Sequence, residues 1–425
     1  MTALMLPDKA LARAVDSLPD DSLSGTRQAA LARFLERGFP TTRLEDWKYT
    51  DLKAVADISR RWLESGAVPV DDCALETEIE RIRASIDADW IVVANGEVSL
   101  PGVVRDGIEV STYNESSLAP GFEGPLADFN AALLTDGLHI HIGPDASADK
   151  PLALLVIDGA DSAPAVAQTR IRIEFDAGAN ARLVEYQASR GAADHYANAV
   201  VELDIAGDAV VDYVRVQNRA ANHTQTHRTE VRLGDRSVLR YCGFDLGGKL
   251  VRNDLDVEVS AADADVSIAG LYIAGDGQHL DNHVRIDHQV GPARSAQEYR
   301  GILGGRCRCV WNGKAIVQQG ADGTDAEQAN HNLLLSDRSE IDAKPELEIY
   351  ADDVKCSHGT TVGQIDDSAL FYLRSRGLGK QDAMRALTRA FGASIVNRLP
   401  IAELAESLAA MVETRLTGLT NGGSQ

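Results

Sequence analysis

The stretch TRIRIEFDAGANARLVEY, Thr169 to Tyr186, decides the reading of this 425-residue chain. Apolar Ile171, Ile173 and Phe175 alternate with polar neighbours. The alternation breaks at Asp176–Gly178 and resumes through Ala181 and Leu183. A period of two on both sides of a glycine turn predicts two β-strands, each with one buried face.

The same unit recurs on both sides of it. One series of turn markers is Gly178, Gly207, Gly234, Asp263, Gly291 and Gly320, and a second is Gly191, Ala220, Gly248, Asp276, Gly305 and Ser336. Both step by about 28 residues, within the range that marks repeat architectures. No helical period intervenes between about 150 and 365, which excludes a doubly wound α/β fold. A mainly β protein with a right-handed β-helix (solenoid) core is expected, because stacked coils bury a face that no single coil can bury. A β-sandwich with glycine-marked turns is the alternative.

Helical patterns flank this core. In GTRQAALARFLERGFP, Ala29, Leu31, Phe34 and Leu35 share a stripe that Pro40 ends, and a second helix is expected over about Glu76 to Ile86. Strand signals begin at Trp90. After Ile365, DDSALFYLRSRG reads as a short helix. Met384, Leu387, Phe391 and Ile395 then fall at helical spacing, as do Leu404, Leu408, Met411 and Leu416. The expected organisation is a helical N-terminal domain (1–89), a mixed connecting segment (90–150), the β-helix core (151–365) and a C-terminal helical domain (366–425). TNGGSQ at the end is expected to be disordered.

Charge narrows the function. The net charge is −22 and the pI about 4.8. With no basic patch, nucleic acid and anionic membranes are excluded as direct partners. No apolar run approaches the ~20 residues that span a bilayer. The N-terminus lacks a basic flank and a long apolar run, so a soluble cytoplasmic protein is expected. Residues 366–425 carry seven basic and six acidic side chains, a near-neutral tail on an acidic body. That tail suits either a docking partner or the open end of the solenoid.

The five cysteines, Cys73, Cys242, Cys307, Cys309 and Cys356, form neither a disulfide framework nor a paired CxxC cage. GFDLGGKL (Gly243–Leu250) imitates a phosphate loop. It puts Leu250 where a magnesium-binding hydroxyl is needed, and a strand pattern where a helix is needed. Cys307, Cys309 and Trp311 share one strand face and read as small core residues beside an aromatic, with Arg306 and Arg308 pointing the other way. The histidines of NHTQTH and HLDNHVRIDH lack the spacing of a zinc site and read as surface or hydrogen-bonded strand residues.

KCSHG is different. On a strand, Cys356 and His358 fall on one face, and a thiolate beside an imidazole suits iron or another borderline metal. Two ligands hold a metal weakly, so another chain is expected to complete the site.

These residues also carry a resemblance. ELEIYADDVKCSHGTTVGQIDDSALFYLRSRGL (Glu346–Leu378) resembles the C-terminal signature of the SufB/SufD family of iron–sulfur cluster assembly scaffolds. NLLLSDRSEIDAKPELEIYADD (Asn332–Asp353) extends the match, and RLEDWKYTDL (Arg43–Leu52) resembles the N-terminal signature. The resemblance implies a β-helix core flanked by helices, in a non-catalytic scaffold subunit that pairs with SufB and with the ATPase SufC. SufC would dock on about 366–425, and sulfur would come from a cysteine desulfurase. No cofactor is expected on the isolated chain; iron or a nascent cluster would be held transiently in the complex. It implies a cluster-assembly and metal-binding role at the subunit interface for His358, with Cys356 as the weaker candidate. Asn330 stands near the place of the SufB acceptor cysteine, which puts the chain on the SufD side of the family. The competing readings are a self-contained β-helix enzyme acting on an acidic polymer, disfavoured by the lack of clustered catalytic carboxylates, and a structural homodimer.

Overall fold

The computed structural model describes residues 4–66, 75–100, 105–113, 124–146 and 149–421. Cys73 and residues 422–425 of the expected disordered tail lie outside the described residues.

Two sheets run the length of the core, one of ten strands and one of nine among the described residues. From β4 (Leu138–Ile142) and β5 (Leu152–Gly159) to β18 (Glu340–Ile349) and β19 (Lys355–Gly363), successive strands alternate between the sheets. Each pairs in parallel with the strand one coil away. The result is a β-solenoid of two strands per coil. Coil length varies around the expected period, from 26 residues between paired Thr224 and Leu250 to 33 between Leu138 and Ile171. The odd-numbered sheet begins further upstream, with β1 (Asp89–Ala94) paired to β5.

The turn markers land at the corners. Positive φ falls on Gly178, Asp208, Arg236 and Asp263, successive residues of one corner. Their N–H groups reach into the next coil, as from Gly178 to Gly207 O and from Asp208 to Asp235 O. In two coils the left-handed residue therefore follows the marker, Asp208 after Gly207 and Arg236 after Gly234.

The lumen between the sheets is packed with side chains. Its apolar cluster runs from Ile91 and Leu138 to Cys307, Cys309 and Trp311. Aromatic rings lie over glycines. A Cβ on Gly270 would meet the Tyr299 ring at 2.1 Å, and one on Gly301 the Tyr272 ring at 2.2 Å. The core placement of Cys307, Cys309 and Trp311 agrees with the strand-face reading.

Helices cover the outer face of each sheet. On the even-numbered sheet, α2 (Ser24–Arg37) and α5 (Pro125–Ala132) pack through Phe34, Phe39, Phe129 and Tyr196. The buried stripe of α2 is Ala30, Leu31 and Phe34, with Ala29 exposed instead of buried. Further along this face lies the Arg43–Leu52 segment. Trp47 stacks on the Arg252 guanidinium at 3.8 Å, and Thr50 Oγ1 donates to Asp281 at 2.5 Å and meets His279 at 2.8 Å. These aromatic and hydroxyl residues clamp the N-terminal region to the coils.

On the odd-numbered sheet, α7 (Lys380–Val396), the 3-10 turn Ala402–Leu404 and α8 (Ala405–Asn421) bury Ile395, Leu404, Leu408, Val412 and Leu416 against Leu155, Val184, Val214 and Phe244. The amphipathic tail thus covers a sheet face, not the open end of the solenoid. Gly275 and Gly304 admit the Leu419 side chain of α8, which a Cβ would meet at 2.9 and 3.2 Å. Among the described residues no helix is long and apolar enough to cross a membrane.

Candidate functional site

The last coil is open. Among the described residues β19 pairs with β17 (Asp325–Leu334), β18 pairs with β16 (Arg308–Val317), and no strand follows either. Parallel register carries the columns of lumen-facing side chains outward to this coil. Val266, Ser295, Ala326 and Cys356 form one column. Ile268, Gln297, Gln328 and His358 form the next, and Gly270, Tyr299, Asn330 and Thr360 the third. Cys356 and His358 therefore stand on the inward face of the solenoid, at the one coil with no coil above it. The inner members of each column are buried, whereas Cys356 and Thr360 are half-buried and His358 is exposed. Across the mouth lie Ile341 and Ala343 of β18, in register with Cys309 and Trp311 one coil below.

Local physics suits Cys356 to a passive state in the isolated chain. Partial burial pushes its thiol upward, and the nearby Asp325 carboxylate adds to this. A thiol in that state is protonated at neutral pH and becomes a ligand only beside a cation. Among the described residues no group of three or more His, Cys, Asp or Glu side chains is arranged to hold a metal. The strand thus presents two donors, Cys356 and His358.

The other sequence candidates fall elsewhere. Cys309 and Cys307 are buried one coil inward on the opposite sheet. Burial holds the Cys309 thiol well above its usual range, while its hydrogen bond to Cys307 draws Cys307 down. Cys242 lies under the C-terminal helices, its thiol pushed up by burial to about 12. GFDLGGKL is a coil corner: β11 (Val238–Asp245) ends and β12 (Leu250–Val259) begins with no helix between them. Asn330 is buried and satisfied, donating to Tyr272 Oη at 3.1 Å and to Tyr299 O at 3.3 Å.

The histidines are more buried than their sequence context implies. His227 pairs with Glu185 at 2.9 Å and His288 with Ser295 at 2.9 Å, as strand histidines do. His195 and His223 depart from that pattern. Both are fully buried, on adjacent coils. The signal that could have found them is their placement at corresponding ends of successive strands.

An apolar rim surrounds the open end. Tyr350, just past β18, is 61 % exposed, and Val362 at the lumen mouth 54 %. Beyond it, α6 (Asp367–Ser375) holds Phe371 and Tyr372 at 73 % and 56 % exposure. Side chains of this kind left in water mark an interaction surface.

Comparison with known proteins follows the same outline. Residues 156–391, more than half of the chain, match the family described as SUF system FeS cluster assembly, SufBD core domain. Residues 11–60 match the SufBD protein N-terminal region. The chain is 29 % identical over 410 residues to the iron–sulfur cluster assembly protein SufD of Escherichia coli, covering 92 % of each. It is 29 % identical to an iron–sulfur cluster assembly SufBD family protein of Synechocystis sp., covering 94 % of this chain and 93 % of that one. It is 24 % identical to the chloroplastic protein ABCI7 of Arabidopsis thaliana, covering 94 % and 86 %.

Proposed function

This chain belongs to the SufBD family of the SUF iron–sulfur cluster assembly system, and from that premise we propose that it is a non-catalytic scaffold subunit whose open coil is half of an assembly site. The observation that carries the proposal is the pair Cys356 and His358 at an uncovered lumen mouth. A SufB-like partner, set against this coil, brings the thiolate ligands that this chain lacks there. Iron and sulfide are cargo at that junction, held while a cluster forms and then released. His358 is the principal ligand from this side, and Cys356 the secondary one.

A SufC-like ATPase docks on the C-terminal helical region. The apolar stripes of α7 and α8 are already buried against the sheet, so α6, with Phe371 and Tyr372, is the surface it meets. ATP binding shifts the junction only as far as the ATPase prefers one arrangement of this region over another. Sulfur arrives from a cysteine desulfurase system.

The test is anaerobic cluster reconstitution on the full complex carrying His358→Ala. The chain should fold normally, because His358 is exposed, and cluster yield per assembled complex should fall severely. An unchanged yield removes the site. A cluster formed by this chain alone would transfer the role to other ligands, with Cys307 and Cys309 the first to examine.

A further inference from the structure

Among the described residues, buried and half-buried arginines alike meet carboxylates, as half-buried Arg172 meets Glu174 at 2.6 Å and Arg300 meets Glu298 at 3.1 Å. Arg27 pairs with Asp21 at 2.9 Å, Arg170 with Glu202 at 3.0 Å, Arg215 with Asp245 at 2.9 Å, Arg219 with Asp158, and Arg252 with Asp281 at 3.1 Å. This is the expected pattern, since a guanidinium removed from water without a counter-charge is costly. Arg415, on α8, breaks it. Its side chain is half-buried and lies over the backbone of Gly247, where a Cβ would meet Nη2 at 3.0 Å. Among the described residues its hydrogen-bond partner is a neutral amide, Asn218 Oδ1 at 3.2 Å, and no carboxylate pairs with it. Burial shifts its pKa downward, whereas the carboxylate-paired Arg215 and Arg252 are shifted upward.

Arg415 lines an open cleft of about 680 Å³ between α8 and the coil corners. Arg81 of α4 (Glu76–Arg83) lines the same cleft, along with Asn218, Met411 and Leu419. Arg81 already has a carboxylate, Glu78 at 2.6 Å. The carboxylate that lines the cleft is Asp276, whose Oδ1 accepts the backbone N–H of Arg306 at the adjacent corner. With Arg81 paired to Glu78, Arg415 is the cation of this cleft left without a carboxylate among the described residues, beside the apolar wall of Met411 and Leu419.

We propose that this cleft binds a phosphate-type oxyanion, with the Arg415 guanidinium as its principal contact and Arg81 as a second. A guanidinium presents planar, paired donors that match such an anion. The apolar wall of Met411 and Leu419 leaves room for the body of a phosphate monoester, so the anion is either free phosphate or the head of a small ester. The site belongs to this chain alone and does not depend on the partner reading above.

The test uses the isolated full-length chain, titrated calorimetrically with inorganic phosphate and separately with ribose 5-phosphate, at fixed ionic strength to remove screening effects. Wild type should bind at least one probe saturably. Tighter binding of the ester assigns the ester; equal binding assigns free phosphate. Arg415→Gln should weaken binding at least tenfold, and Arg81→Gln less. Arg236→Gln, which removes a charge at a distant exposed corner, should leave it unchanged. Asn218→Asp guards against a variant that fails to fold. It places a carboxylate beside Arg415, so it should raise the melting temperature and abolish binding together. No saturable binding of either probe, or equal binding by wild type, Arg415→Gln and Asn218→Asp, overturns the proposal.

Discussion

His195 and His223 face each other across adjacent coils, with ring centroids 5.0 Å apart and tilted by 35°. Burial holds both below the usual histidine range, His223 to about 4, and the Arg219 guanidinium nearby acts in the same direction. Asp194 and the backbone at Gly191 and Ala193 oppose it only in part for His223. The folded state therefore binds fewer protons than the unfolded state between about pH 4 and the unfolded value near 6.5. Stability contributed by this pair is present above that window and is lost as pH falls through it.

Equilibrium denaturation from pH 7 to 4.5 checks this. His223→Gln, which cannot protonate, should lose less stability over that range than wild type. The comparison must be variant against wild type, because Glu230 acts oppositely. Burial raises Glu230 to about 7, so its contribution weakens as pH rises. Parallel pH profiles for wild type and variant would remove the pair as the origin.

The N-terminal clamp makes a second prediction. Thr50 is fully buried, and its hydroxyl serves both Asp281 and His279. Thr50→Val keeps the shape and removes the hydroxyl, at an expected cost of ~1–3 kcal/mol for the buried partners left short. Chemical denaturation measures it. Cluster formation by the assembled complex at equal folded concentration should be unchanged, since the clamp acts on stability.

Ring-over-glycine packing in the lumen makes a third. Gly270→Ala drives a methyl group into the Tyr299 ring. Overpacking of a filled core typically costs ~1–3 kcal/mol. At Gly359, on the open last coil, a Cβ would meet nothing within 4 Å, so Gly359→Ala should be nearly silent. Thermal melts of the two variants side by side separate the packed lumen from the uncovered outer face of the last strand.

The fourth concerns α6. Phe371→Asp and Tyr372→Ser should leave the chain's own unfolding free energy within ~0.5 kcal/mol, as expected of exposed positions. The same pair should abolish co-purification of the proposed SufC-like ATPase. Retention of the ATPase would move its docking surface to the outer faces of α7 and α8.

Much of this architecture is legible in the sequence, because a coil corner has strict chemistry. Gly178 and Asp263 take left-handed conformations that branched residues avoid, so they recur visibly. Arg236 is also left-handed, and no composition rule flags an arginine there. Period two places Cys356 and His358 on one face. That this face looks into the lumen, and that no coil follows, depends on register with Ala326 and Gln328, which strand periodicity alone does not set. The stripe of Leu408, Val412 and Leu416 announces that α8 must cover something. Only the fold identifies it as the sheet face around Val184 and Val214.

The unfinished last coil also bears on how such a chain avoids stacking on copies of itself. A solenoid whose inner columns continue unchanged to the end is a growth front, on which identical chains could stack indefinitely. Here the columns change composition as they reach the front: Val266 and Ile268 give way, three coils on, to Cys356 and His358. Burying an imidazole without a partner is costly, so a second copy gains little by adding here. A subunit carrying complementary ligands loses no such energy. The polarity of the final coil thus acts as a filter on assembly, favouring a matched neighbour over endless self-addition.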